Sequence, residues 1–211
     1  MALKGLQDTF GLRDLGKNKG NINWEAVLQA DLLVIIEAIK PGDFAKVKGT
    51  NIERILDTVY KQSRERRDTL AKEKDKETGK PANIASAGRE VLLQEDTEIV
   101  DENLLSMDYV LEVTTDEAMD EMTELPGIGV ETASRVILFC MKRPSFAVDT
   151  HVWRHCKWLS WVPEKATRDQ TFSHCEVRIP DHLKYALHQL FHRHGKTCGR
   201  CRVNNSVSIE E

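Results

Sequence analysis

The chain has 211 residues, 40% of them hydrophobic and 30% charged, with a formal net charge of -4; that is enough apolar content for one ordinary domain or two small ones. It contains no run of about 18 apolar residues to span a bilayer, and Met1 is not followed by the charged-then-apolar pattern of a secretory signal, so no membrane partner is expected. Five cysteines, an odd number with no small disulfide framework around them, fit reduced thiols in the cytosol or nucleus.

Residues 1–23 read as the remnant of an upstream helix. Between residues 24 and 60 the sequence predicts two helices. Ala26, Val27, Ala30, Leu33, Val34 and the run Ile36 to Ile39 recur at helical spacing, and this first helix has to stop near Lys40 because Pro41-Gly42 follows. The second runs from about Lys46 to Tyr60, with Ile52, Ile55, Leu56 and Val59 as its buried stripe. From Arg64 to Pro81 the chain is dense in mixed charge and almost without apolar residues, which predicts a frayed helix end running into a charged loop over 64–98. Order resumes near Ile99. Residues 104–113 predict a short helix, and a second follows with Thr115 as its N-cap and acids in its first turn.

Thr115 to Glu124 is then helical, the segment Leu125-Pro126-Gly127-Ile128-Gly129 cannot continue the helix, and Glu131 to Lys142 is helical again. The pattern is a helix-hairpin-helix. Two glycines allow a sharp turn and let backbone amides approach a ligand without a Cβ in the way, and amides at a helix N-terminus favour a phosphate. A plain helix-helix turn is the simpler reading of a Pro-Gly alone. After Arg143-Pro144 and the apolar "SFAV", Asp149 opens a further helix containing Val152, Trp153 and Leu159; it can cap that helix or face a cleft beside the hairpin. Charge is also uneven. Residues 1–130 hold 17 Lys and Arg against 26 Asp and Glu, whereas residues 131–211 hold 13 against 8, so the overall acidity does not exclude a polyanion for the C-terminal part.

These residues resemble the helix-hairpin-helix DNA glycosylases of the endonuclease III superfamily, the fungal sequences most of all. That family's hairpin has the form Leu-Pro-Gly-(Ile/Val)-Gly, here Leu125 to Gly129, and its downstream strip reads Val-Asp-Thr-His-(Val/Ile)-x-Arg, here Val148 to Arg154. The similarity extends over residues 24–201, and 202–211 form a tail. The resemblance implies an all-α, two-lobed fold that binds double-stranded DNA as a monomer in the nucleus, and also in the mitochondrion, with a damaged base flipped into a pocket. It places Leu125, Gly127, Ile128, Gly129, Val130, Thr132, His151 and Arg154 at the DNA, with an alkali cation at the hairpin carbonyls. Asp149 becomes the catalytic carboxylate.

Three departures from the family pattern refine that expectation. Bifunctional members carry a lysine where this chain has Glu131, and a carboxylate cannot form the Schiff base of the lyase step. The expected activity is thus release of a base by water, without efficient strand cleavage at abasic sites; Glu131 is expected to repel phosphate and to raise a neighbouring carboxyl's pKa. The alternative is a catalytically inert DNA-binding protein. The segment "ALKGLQDTFG" after Met1 resembles the helix that follows the family's Leu-Ser-x-Gln-Thr segment, so the chain is expected to be N-terminally truncated. Finally, only Cys198 and Cys201 stand where relatives hold a four-cysteine iron-sulfur cluster. They read as a vestige of the cluster loop, and no cofactor is required; a zinc centre completed by His192, His194 and Cys175 is the weaker alternative. Trp153, Trp158 and Trp161 are expected in the core. The helix from His182 is expected to turn Tyr185, Leu187, Leu190 and Phe191 inward and His188, His192 and His194 outward, with Lys184, Arg193 and Lys196 available to phosphate.

Overall fold

The computed structural model describes residues 2–14, 19–77 and 104–201. Among these residues every regular element is helical, apart from one isolated antiparallel bridge between Leu12 and Ile22. The expected all-α class holds. The chain divides into two compact units, Met1–Tyr109 and Val110–Glu211.

In the first unit, α1 (Ala2–Phe10), α2 (Trp24–Leu28), α3 (Leu32–Ile39) and α4 (Ala45–Glu77) enclose a core of Leu6, Ile22, Val27, Ile35, Ala38, Ile39 and Leu56. The stretch expected to form a single helix up to Lys40 is two helices, broken at residues 29–31. Asp31 takes an extended backbone there, and its carbonyl accepts the amides of Val34 and Ile35 to start α3, without a capping hydrogen bond from its side chain. The restart turns Ile35, Ala38 and Ile39 inward and leaves Leu33 and Val34 exposed. Where α1 meets α3, a Cβ on Gly5 would lie 1.8 Å from the carbonyl oxygen of Ala38, so the packing depends on the missing side chain.

α4 buries the expected Leu56 and Val59, but it continues past Arg64 to Glu77 instead of fraying. Its charged part is rich in Arg, Lys, Glu, Leu and Ala, all strong helix formers, with no Gly or Pro before Gly79. The Arg66 guanidinium also stacks 3.6 Å over the Tyr109 ring. The remainder of the expected loop, 78–98, and the tail 202–211 lie outside the described residues.

A 3-10 turn, Asp108–Leu111, stands in place of the helix expected over 104–113. It leads to α5 (Thr115–Thr123), α6 (Val130–Arg135) prolonged by a π turn (Val136–Cys140), α7 (Thr150–Trp158), α8 (Arg168–Arg178) and α9 (Asp181–Thr197). The cap of α5 is Thr114 rather than Thr115. Thr114 Oγ1 accepts from the Glu117 amide at 3.3 Å while the Glu117 carboxylate accepts from the Thr114 amide at 2.8 Å. That reciprocal box needs an acid three residues after the cap, which Thr115 lacks because Ala118 stands there.

Phe146, Val148, Val152, Cys156, Val162, Cys175 and Phe191 form the core of the second unit, with Trp153 packed against it. Trp158 and Trp161 are not in that core; both are exposed. The inward face of α9 also differs from expectation. Tyr185 and Leu190 are exposed, whereas Lys184, His188, Phe191 and Gly195 are buried. The polar members of this face are tolerated because each is paired. Lys184 Nζ donates to Glu176 at 2.7 Å and Asp181 at 2.9 Å, and His188 Nδ1 donates to the Ala147 carbonyl at 2.8 Å. Burial disfavours the Lys184 ammonium, but the two carboxylates outweigh it and hold its pKa above the ordinary lysine value. Lys184 is therefore not available to phosphate. The capping box gives a direct test: Thr114→Ala should lower the unfolding free energy measured in urea by about 1 kcal/mol, while Thr115→Ala should change it by less than about 0.5 kcal/mol.

Candidate active site around Asp149

The hairpin between α5 and α6 is tied off internally: the Leu125 amide donates to the Met122 carbonyl and the Ile128 amide to the Leu125 carbonyl, at 3.2 and 3.1 Å. Gly127 adopts φ +79°, the left-handed region that side chains avoid. Gly129 is extended, and any residue could adopt its backbone; a Cβ there would meet nothing within 4 Å. The missing side chain at Gly129 instead leaves the approach to α6 uncovered, where the amides of Val130 and Glu131 have no preceding turn to donate to. Gly127, Gly129 and Thr132 are exposed and Ile128 and Val130 half-buried. Leu125 is not at that surface. It is buried.

α6 does not run on as a regular helix to Lys142. The Met141 amide bonds to the Val136 carbonyl, five residues back, and the widened turn places the consecutive Ile137 and Leu138 inside. The chain then passes through the buried Ser145–Val148 stretch and delivers Asp149 as the N-cap of α7. Asp149 Oδ1 accepts the Val152 amide at 2.8 Å, and Oδ2 accepts His192 Nδ1 at 2.6 Å and Arg135 Nη2 at 3.1 Å. The residue is only 3% exposed. Burial pushes the Asp149 pKa up, but the Val152 amide, His192 and the Arg135 cation together outweigh it and hold the carboxyl below its ordinary value.

This reverses the expectation that Glu131 raises a neighbouring carboxyl's pKa. Glu131 is itself neutralised, with Oε1 3.2 Å from Arg135 Nη2 and Oε2 2.8 Å from Arg168 Nη1. One Arg135 nitrogen thus bridges both acids. His151 and Arg154, also expected at the DNA, are both half-buried on α7. The His151 ring meets His192 edge-to-face at 5.3 Å and lies against Gly195, where a Cβ would be 2.5 Å from its Nδ1; burial lowers its pKa. Arg154 is half-buried and stacks on Trp158 at 4.7 Å.

Two site residues escaped the sequence reading. His192, expected on the surface, is half-buried against Asp149, and Arg135 had no assigned role. The only signal for His192 was the 184, 188, 191, 195 periodicity of α9, which places it beside the inward face.

The cysteines do not fit an iron-sulfur cluster. Cys156 and Cys175 face each other in the core, Sγ to Sγ 3.9 Å, and Cys140 is exposed, which leaves two thiols, Cys198 and Cys201. Cys175 is thereby also removed from the expected zinc alternative. Asp149, His188 and His192 bring donor atoms within 4.8 Å of one another, but Asp149 already faces the Arg135 cation.

The pH dependence of stability follows from these shifts. Asp149, with its folded pKa depressed, contributes stability above the ordinary aspartate pKa that is lost as pH falls through the folded value. Burial depresses His188 too, so the unfolded chain takes up a proton there before the folded one does. The unfolding free energy should begin to fall below about pH 6.5 and fall further below about pH 4. Urea titrations across that range check this, and His188→Gln should flatten the upper part, leaving the share that His151, also depressed by burial, contributes there.

Residues 2–181 match the family model described as HhH-GPD superfamily base excision DNA repair protein. An Arabidopsis thaliana protein named as a candidate DNA glycosylase is 38% identical over 181 residues, covering 86% of this chain and 48% of the relative. Endonuclease III of Thermotoga maritima is 36% identical over 67 residues, 32% of this chain and 31% of that one. Endonuclease III of Escherichia coli is 30% identical over 95 residues, covering 41% and 44%. The chain thus spans about half the length of the Arabidopsis relative. A solved structure of a non-covalent endonuclease III-DNA complex aligns with a TM-score of 0.58 at 17% identity, over 97% of this chain and 67% of that one, which shows a shared fold.

Proposed function

This chain belongs to the HhH-GPD superfamily of base excision DNA repair proteins, and from that membership we propose that it is a DNA glycosylase that releases a damaged or modified base from duplex DNA by hydrolysis. The observation that carries the reading is the coincidence, within one compact unit, of an exposed Gly127–Gly129 hairpin and an ionised, buried Asp149 at the start of α7. The hairpin amides and the N-terminus of α6 suit a backbone phosphate, and the hairpin carbonyls suit an alkali cation. With the phosphate fixed, a flipped nucleotide is held for reaction.

The chemistry requires a group that favours positive charge on the sugar as the base departs. A carboxylate kept ionised by its own hydrogen bonds does this without reorganising. As the C–N bond breaks, its electron pair leaves with the base, water bonds to the sugar carbon, and the water's proton passes to the Asp149–His192 pair. His192 donates Nδ1 to Asp149, so in the neutral ring Nε2 is the acceptor. It is also the more exposed of the two side chains, which suits it to meet the water, with Asp149 fixing its tautomer.

Glu131 cannot supply the amine of a lyase step. Its ion pairs with Arg135 and Arg168 give it a different place: it holds two arginines beside the hairpin and masks its own charge from phosphate. Asp149→Asn should reduce single-turnover base release from lesion-bearing duplexes by about 100-fold or more while leaving duplex binding intact. Unchanged release would remove Asp149 from the mechanism. An absence of release from every duplex tested, with binding retained, would favour an inert DNA-binding protein. Borohydride treatment of the enzyme with abasic DNA should give no covalent adduct, and a strong adduct would show that an amine attacks.

A further inference from the structure

A second cluster of metal-ligating side chains lies outside the Asp149 site. α7, α9 and the turn after α9 bring His155, His194 and Cys201 together, with their donor atoms all within 4.8 Å of one another. His155, on α7, is the anchor. It is 7% exposed, and its Nδ1 lies 2.7 Å from the carbonyl oxygen of His151, one turn earlier. A carbonyl can only accept, so Nδ1 carries the proton and Nε2 of the neutral ring is left with a bare lone pair. That Nε2 is buried and has no hydrogen-bond partner among the described residues. A buried acceptor without a partner is costly. One ring nitrogen donating to a backbone carbonyl while the other stays open is also how a ligating histidine is oriented toward its metal.

The remaining donors suit the same ion. The His194 ring stands edge-to-face to His155 at 5.3 Å on an exposed stretch of α9, free to adjust. Cys201 is paired with Cys198 across a Cys-Gly-Arg-Cys turn, the two-residue spacing used by thiolate pairs in zinc sites. We propose that His155 Nε2, His194, Cys198 and Cys201 together bind one Zn²⁺ tetrahedrally, as a closed structural site. Two imidazoles and two thiolates match zinc's ligand preferences, whereas an iron-sulfur cluster takes four thiolates, which are not present at this end of the chain. Binding releases the two thiol protons to solvent. The ion would tie α7, whose N-cap is Asp149, to the end of α9, which carries His192.

The test is metal analysis of the purified full chain after gel filtration in chelator-free buffer. One equivalent of zinc is expected, and Co²⁺ exchanged into the protein should show thiolate-to-cobalt charge transfer and the intense visible bands of a tetrahedral ion. His155→Ala removes a buried ring and can fail to fold, so His194→Ala and Cys201→Ser carry the test, with circular dichroism confirming intact helices. Each should lose the zinc and the cobalt bands, and chelator should lower the Tm of the unmutated protein but not of the variants. Absence of zinc and cobalt binding overturns the proposal. So does loss of two hydrogens by mass spectrometry, which marks a Cys198–Cys201 disulfide, or iron with inorganic sulfide. Zinc retained in both variants would place the metal elsewhere and equally overturns it.

Discussion

A single buried carboxylate sets the terms for the second unit. Asp149 is ionised and withdrawn from water, so it needs several donors, and it takes them from three helices: its own α7 through the Val152 amide, α6 through Arg135 and α9 through His192. The elements that build the site are thus the elements whose approach the carboxylate requires. The magnitudes favour this contact over the surrounding ion pairs. Leaving a buried charge uncompensated costs about 3–5 kcal/mol, whereas an exposed pair such as Glu131–Arg168 contributes about 0–1 kcal/mol.

The same arrangement reconciles stability with chemistry. In the proposed reaction the carboxylate has to stay charged while shielded from water, and burial alone would protonate it. Here the capping amide, an imidazole and a guanidinium maintain the charge. Glu131, which seemed from sequence to threaten this balance, is absorbed into it, because Arg135 reaches both acids and Arg168 takes the outer oxygen of Glu131. Glu131, at the start of α6 beside the hairpin, is therefore already paired.

The parts of the fold legible in the sequence were those governed by local rules. The hairpin, the α4 stripe of Leu56 and Val59, and Asp149 as a helix cap all follow from turn chemistry and periodicity over a few residues. What was misread depends on contacts distant in sequence. Lys184 and His188 point inward because Glu176 and Ala147, 8 and 41 residues away, accept their hydrogen bonds, and polar composition alone suggests the opposite face. Arg135 and His192 meet Asp149 across 14 and 43 residues, and no spacing announces such a pairing. The long α4 was underestimated for a different reason: charge density was read as lack of order, although the same residues are strong helix formers.

The central claim is that protein donors hold Asp149 ionised despite its burial. Its most direct test is an NMR titration of the Asp149 side-chain carboxyl carbon in the intact protein and in Arg135→Met. A midpoint below the ordinary aspartate value that moves upward when Arg135 is removed is the predicted result. A midpoint at or above that value, unmoved by the substitution, would contradict the account.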